Sequence, residues 1–167
     1  IYAERVHWDA LPRDEKVRLH AIAHGLSCTN GVLCGRSAAL LHGLPIAGRA
    51  DPNAEIGYYP PTGTRKVSNN RIIRPLHAGS RLRAEEVQVI TANGLREVGL
   101  TSINDTVIDL ARWHSVTDAV VAAESIVRTK YDNHAVEVFI AEVRECLHSA
   151  LNLRGFSEVT KALRLIN

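Results

Sequence analysis

The sequence predicts an α+β fold: a small, mainly antiparallel sheet covered by helices, with a helical C-terminal region. Three observations carry this. Apolar residues recur at helical spacing at both ends of the chain, whereas the stretch from Ala54 to Val98 is broken into short β-rich runs separated by turn residues. Those runs follow one another without intervening helices, a segregation that favours antiparallel pairing over βαβ units. Asn93-Gly94, between Val87-Gln88-Val89-Ile90-Thr91 and Leu95-Arg96-Glu97-Val98, is a strong hairpin signal.

In chain order, Ile1 to His7 reads as a short extended lead-in. Pro12-Arg13-Asp14-Glu15 opens a helix that runs toward Gly25, with acids in its first turn. His20 and His24 share one face at i, i+4, but no acid completes a metal set, so they read as surface histidines. Asn30-Gly31 is a turn, Val32-Leu33-Cys34 a brief buried run, and Ser37 to His42 a short helix stopped by Gly43 and Pro45. Gly48 to Asn53 is a loop. Strands follow at Glu55–Tyr59 and Arg71–His77, with Thr62-Gly63-Thr64 as a turn and Pro75 favouring an edge or bulge. After the hairpin come four helices: Thr101–Arg112, Val116–Tyr131, Ala135–Leu147 and Ser157–Ile166, the last set off by Gly155. Residues 1–130 form an α/β domain on this reading, and 131–167 a helical extension packed on it.

The first of those four helices has the most mechanistic start. Ser102 caps it and Asp105, three residues on, completes a capping-box spacing. Ile103, Val107, Leu110 and Ala111 make one apolar stripe. Asp109 and Arg112 fall on another face and read as a solvated i,i+3 pair. A buried anchor is the alternative, and Asp109→Asn is the change that separates the two.

Composition bounds the function. With 167 residues, 46% hydrophobic and 23% charged, the chain is an ordinary globular protein long enough for a real core. It has no apolar run near the ~18 residues of a membrane helix and no signal-peptide pattern. Cys28, Cys34 and Cys146 are an odd set without C-x-x-C spacing, which suits reduced thiols in a cytoplasm. Methionine is absent, and Ile1 is not expected to be the biological start. Net charge is only +2, yet no acid falls between Glu55 and Glu85 while Arg65, Lys66, Arg71, Arg74, Arg81 and Arg83 all do. That span reads either as a solvated rim protecting edge strands or as a surface for phosphates or an acidic partner, with Tyr58, Tyr59 and His77 interleaved. Catalytic signatures are lacking. The acid-x-Lys of a nuclease site occurs only as Asp14-Glu15-Lys16 at a helix start, and the adjacent Glu85-Glu86 side chains diverge. No metal and no cofactor are expected.

Two segments taken together resemble a family. Cys34-Gly35-Arg36-Ser37-Ala38-Ala39-Leu40-Leu41-His42-Gly43-Leu44-Pro45 is similar to its S-x-x-S-A-A-x-L-x-G-L-P segment. Gly94, followed by Thr101-Ser102-x-x-x-Thr106-x-x-Asp109-Leu110-Ala111-Arg112, is similar to its hairpin and T-S-x-x-x-T-x-x-D-L-A-R segment. The family is the AbiEi-type antitoxins of type IV toxin–antitoxin systems, especially the actinobacterial branch of transcriptional regulators. The resemblance runs from Val32 to Arg128, more weakly through Gly155–Ile166, and makes Arg36, Ser37, Gly43, Pro45, Thr101, Ser102, Thr106, Asp109 and Arg112 its motif positions. It implies a cytoplasmic, non-enzymatic domain that neutralises a nucleotidyltransferase toxin or supports operator autoregulation. It also implies a winged helix upstream of Ile1 that reads operator DNA, and it favours Asp109 as a buried anchor. Without that reader, DNA binding by these residues is expected to be weak, phosphate-directed and lost with salt. The alternatives are the non-catalytic part of a nucleic-acid-processing protein, with a nuclease-like domain beyond Asn167, and a dimerisation module.

Overall fold

The structure, a computed structural model, describes residues 5–49, 51–59, 66–68, 70–76, 79–80, 83–129, 133–148 and 155–166. The first described residues form a helix in place of the extended lead-in expected through His7: α1 (Arg5–Ala10) has no buried residue and carries the i,i+4 pair Arg5–Asp9 at 3.7 Å. A six-residue helix with no apolar stripe leaves no periodicity to read. Pro12 then precedes α2 (Arg13–Leu26), whose first turn holds Asp14 and Glu15 against the helix dipole. The brief run at Val32 is strand β1 (Gly31–Leu33), and α3 (Gly35–Leu41) follows at once.

Five more strands follow: β2 (Ala54–Tyr58), β3 (Lys66–Ser68), β4 (Arg71–Pro75), β5 (Glu85–Thr91) and β6 (Gly94–Leu100). The sheet order is β3-β4-β2-β1-β6-β5. Pairs β1·β2, β3·β4 and β5·β6 are antiparallel, while β2·β4 and β1·β6 are parallel, so the sheet is mixed. The parallel pairs arise because β1 lies in the middle of the sheet and β3 hairpins outward beyond β4. The turn expected at Thr62-Gly63-Thr64 lies outside the described residues. At the β5–β6 turn the two-residue loop is Ala92-Asn93, since Thr91 pairs with Gly94. The left-handed conformation therefore falls on Gly94 (φ +96°) at the start of β6.

The four C-terminal helices are α4 (Ile103–Trp113), α5 (Val116–Thr129), α6 (Asn133–His148) and α7 (Phe156–Leu165). One face of the sheet packs on α2 and α3 through Ala21, Ala38, Leu33, Ile56, Val98 and Leu100. The helices build a second core, in which Val107, Leu110, Ala119, Phe139, Val143, Val159 and Leu163 meet. Residues expected to form an appended extension thus share one core with α4 and α5. The opposite face of the sheet carries Val32, Cys34 and Leu76 against Ala84 and Trp113. Among the described residues no helix is long and apolar enough to cross a membrane.

Candidate functional site

An acid inside a fully buried strand must find partners or lose its charge. Glu55 in β2 is 1% exposed and finds four donors. Arg74 of β4 donates to Oε1 through both Nε (2.9 Å) and Nη2. His114 Nε2 and the backbone N–H of Arg36 donate to Oε2 at 2.8 and 2.7 Å. The strand's own N–H is held by Ser37 Oγ at 2.9 Å. Burial alone raises the Glu55 carboxyl, but the hydrogen bonds and charges of His114 and Arg74 outweigh it and hold it below the ordinary range. Gly35 makes the arrangement possible. It adopts φ +53°, and a Cβ there would stand 2.5 Å from Glu55 Oε2.

Beside this group lies the Asp109–Arg112 pair, 3.4 Å apart with side chains 2% and 4% exposed, so it is a buried contact and not a solvated one. Burial pushes the Asp109 carboxyl up to about 8, more than Arg112 and the Gly35 backbone pull it down. Its Oδ2 has no hydrogen-bond partner among the described residues. Two guanidinium groups lie over the Trp113 ring, Arg74 at 5.0 Å and Arg112 at 4.7 Å from its centroid.

Two further carboxylates repeat the pattern. Ser102 caps α4 as expected, accepting from the Asp105 N–H at 3.2 Å. Asp105 does more than a capping box requires. It is buried, and its carboxylate takes Ser80 Oγ (2.9 Å), Arg83 Nε (2.9 Å) and Nη2 (2.8 Å), and Ser102 Oγ (2.8 Å). Asp118 caps α5 together with Ser115 and binds Arg36 Nη2 at 2.8 Å and the Ala47 N–H at 2.9 Å. Burial acts to raise its carboxyl, yet Arg36, Ser115 and the Gly48 backbone hold it low. The sequence suggests that Asp105→Ala costs somewhat less than Ser102→Ala. The structure reverses that order. Ser102→Ala should cost ~1 kcal/mol, and Asp105→Ala about 2–3 kcal/mol because charge-assisted bonds are lost, as read from paired urea melts.

The basic span is therefore not assembled as one surface. Arg74 is buried against Glu55, and Arg83 is tied to Asp105 with its side chain 34% exposed. Arg71 projects to the other face of the sheet, where its Nε meets His24 Nδ1 at 2.8 Å and its Nη2 meets Ser27 Oγ at 2.7 Å. Lys66 lies in β3, where nothing is described of its side chain, and Arg65, Arg81 and His77 lie outside the described residues. Tyr59 is exposed, whereas Tyr58 is half-buried with its hydroxyl 3.3 Å from Cys28 Sγ. Of the motif positions, Thr101 and Thr106 join through their hydroxyls at 2.9 Å, and His42 Nε2 donates to the Thr101 carbonyl at 2.8 Å. Gly43 ends α3 at φ +70°, and Pro45 is exposed beside α5.

Sequence reasoning missed Glu55, His114 and Asp118. The signals were present: an acid flanked by Ala54, Ile56 and Gly57, and Ser115-Val116-Thr117-Asp118 with the same capping spacing as Ser102…Asp105. Chemically the set is a framework. Both Glu55 oxygens are engaged, and Asp109 lines neither of the two large grooves, one beside α5 and one beside the β5–β6 hairpin. No family model matches the sequence, and no curated protein matches it.

Proposed function

We propose that this is an AbiEi-like antitoxin or transcriptional-regulator domain, which neutralises a nucleotidyltransferase toxin or supports operator autoregulation through surface contacts. One observation supports the reading most: the two motif segments, far apart in sequence, interlock in space. Leu33 accepts from the Thr101 N–H at 2.9 Å, His42 binds the Thr101 carbonyl, and Asp109 sits at the Gly35 backbone beside Glu55. Motif residues that form one internal framework account for the ordered pair of motifs without assigning them catalysis. The partner-facing work then belongs to exposed surfaces. Co-expressing the chain with a nucleotidyltransferase found encoded beside it tests this. Restored growth and a co-purifying complex are expected; unrelieved arrest with a folded chain contradicts the reading.

A further inference from the structure

Among the described residues strand β5 is the outermost strand at its side of the sheet. The Thr101 N–H donates to Leu33 O in β1, so Thr101 turns its backbone toward β1 and Leu100 turns toward β5. Through the pairs Glu85↔Leu100, Val87↔Val98, Val89↔Arg96 and Thr91↔Gly94, alternate β5 residues spend their backbone groups on β6. Glu86, Gln88 and Ile90 therefore aim their N–H and C=O groups away from the sheet. No proline, lysine or bulge interrupts the seven residues of this edge, and its only charges are Glu85 and Glu86 at one end.

We propose that this edge pairs with the same edge of a second copy of the chain, antiparallel, about a two-fold axis through Gln88. In that register Gln88 meets Gln88 of the second copy, Glu86 meets Ile90 in both directions, and all three outward residues of each strand are satisfied. A shift that centres the axis on Glu86 sets like charges opposite one another, and one that centres it on Ile90 leaves Glu86 unpaired. Side chains also match. Val87 and Val89 stand opposite each other on the core-facing side. Ile90, 88% exposed, gains the stem of Glu86 from the second copy. Glu85 of the second copy arrives opposite Thr91, at the rim of a groove of about 1060 Å³ lined by Trp8, Ile22 and Val89. Its charged or titratable lining residues are Arg5, His20 and Arg96, with no carboxylate among them. Arg5 is already paired with Asp9, so the complementary charge an incoming acid meets is chiefly that of Arg96. This inference does not depend on the antitoxin reading.

Sedimentation equilibrium of the whole chain tests it, with twice the 18.3 kDa monomer mass expected. Gln88→Pro removes an N–H that the fold does not use, so it should leave the thermal transition in place while reducing the mass to that of a monomer. If that variant fails to fold, Ile90→Glu, at an exposed position, should separate the copies instead, because it sets like charges opposite Glu86 in both directions. Gln88→Cys should cross-link as a dimer under mild oxidation, because a hydrogen-bonded antiparallel pair sets its Cα atoms about 5.5 Å apart. A parent that stays monomeric at every concentration overturns the proposal. A dimer that survives the edge substitutions without a Gln88→Cys cross-link also overturns it, since such a dimer uses another surface.

Discussion

Replacing Glu55 with alanine is expected to cost about 3–5 kcal/mol, because it strands the Arg74 guanidinium inside the protein without its carboxylate. Arg74 and Glu55 have side chains 7% and 1% exposed, so neither can reach water in compensation. The change also frees the Arg36 N–H and His114 Nε2, which meet the same carboxylate. Glu55→Gln should be milder but should alter the acid limb of stability. The folded carboxyl is held below its ordinary value of 4.5. Its contribution is therefore full above that pH and is lost as pH falls through the depressed folded value. Urea midpoints measured from pH 7 down to acid should converge for parent and Glu55→Gln. Parallel curves across that range would contradict the assignment.

Asp109 is expected to behave in the opposite sense. Its carboxyl rises from 3.8 to about 8 in the folded state, so the folded chain binds the extra proton. The contribution to stability is then largest below pH about 4, declines as pH rises to about 8, and is flat above. Asp109→Ala removes one partner of the buried Arg112 guanidinium and should cost about 2–3 kcal/mol near neutrality. Asp109→Asn mimics the protonated carboxyl without its proton uptake, so it should be at least as stable as the parent at pH 6, with the Asp109-dependent slope between pH 4 and 8 abolished. Urea titrations of both variants at pH 6 and pH 9 check this. An asparagine variant as unstable at pH 6 as the alanine variant would show that the carboxyl is ionised there. The burial of Asp109 thus changes which substitution is informative: alanine, not asparagine, reports the anchor.

Much of the architecture was legible because it rests on local signals. The Ser102 cap, the stripes of the four C-terminal helices and the β5–β6 hairpin are set by residues within one or two turns of one another. What was not legible depends on distant partners. Strand β1 has three residues and takes its place from β2 and β6, and β3 is equally short. Helix α1 has no apolar face to announce it. The basic span misled for a physical reason. Arg74 and Arg83 look like surface cations because their carboxylates, Glu55 and Asp105, lie 19 and 22 positions away. An excess of one sign in a stretch of sequence says nothing about where the opposite sign sits in space.

The most direct test of a charged framework inside this domain is a double-mutant cycle on Glu55 and Arg74, read by urea denaturation at pH 7. Glu55→Leu alone should be severely destabilising, and so should Arg74→Met alone. The double variant, with both charges gone, should recover well above the sum, with a coupling of at least ~2 kcal/mol. Losses that simply add would mean that the two side chains act independently, and the framework account would fail.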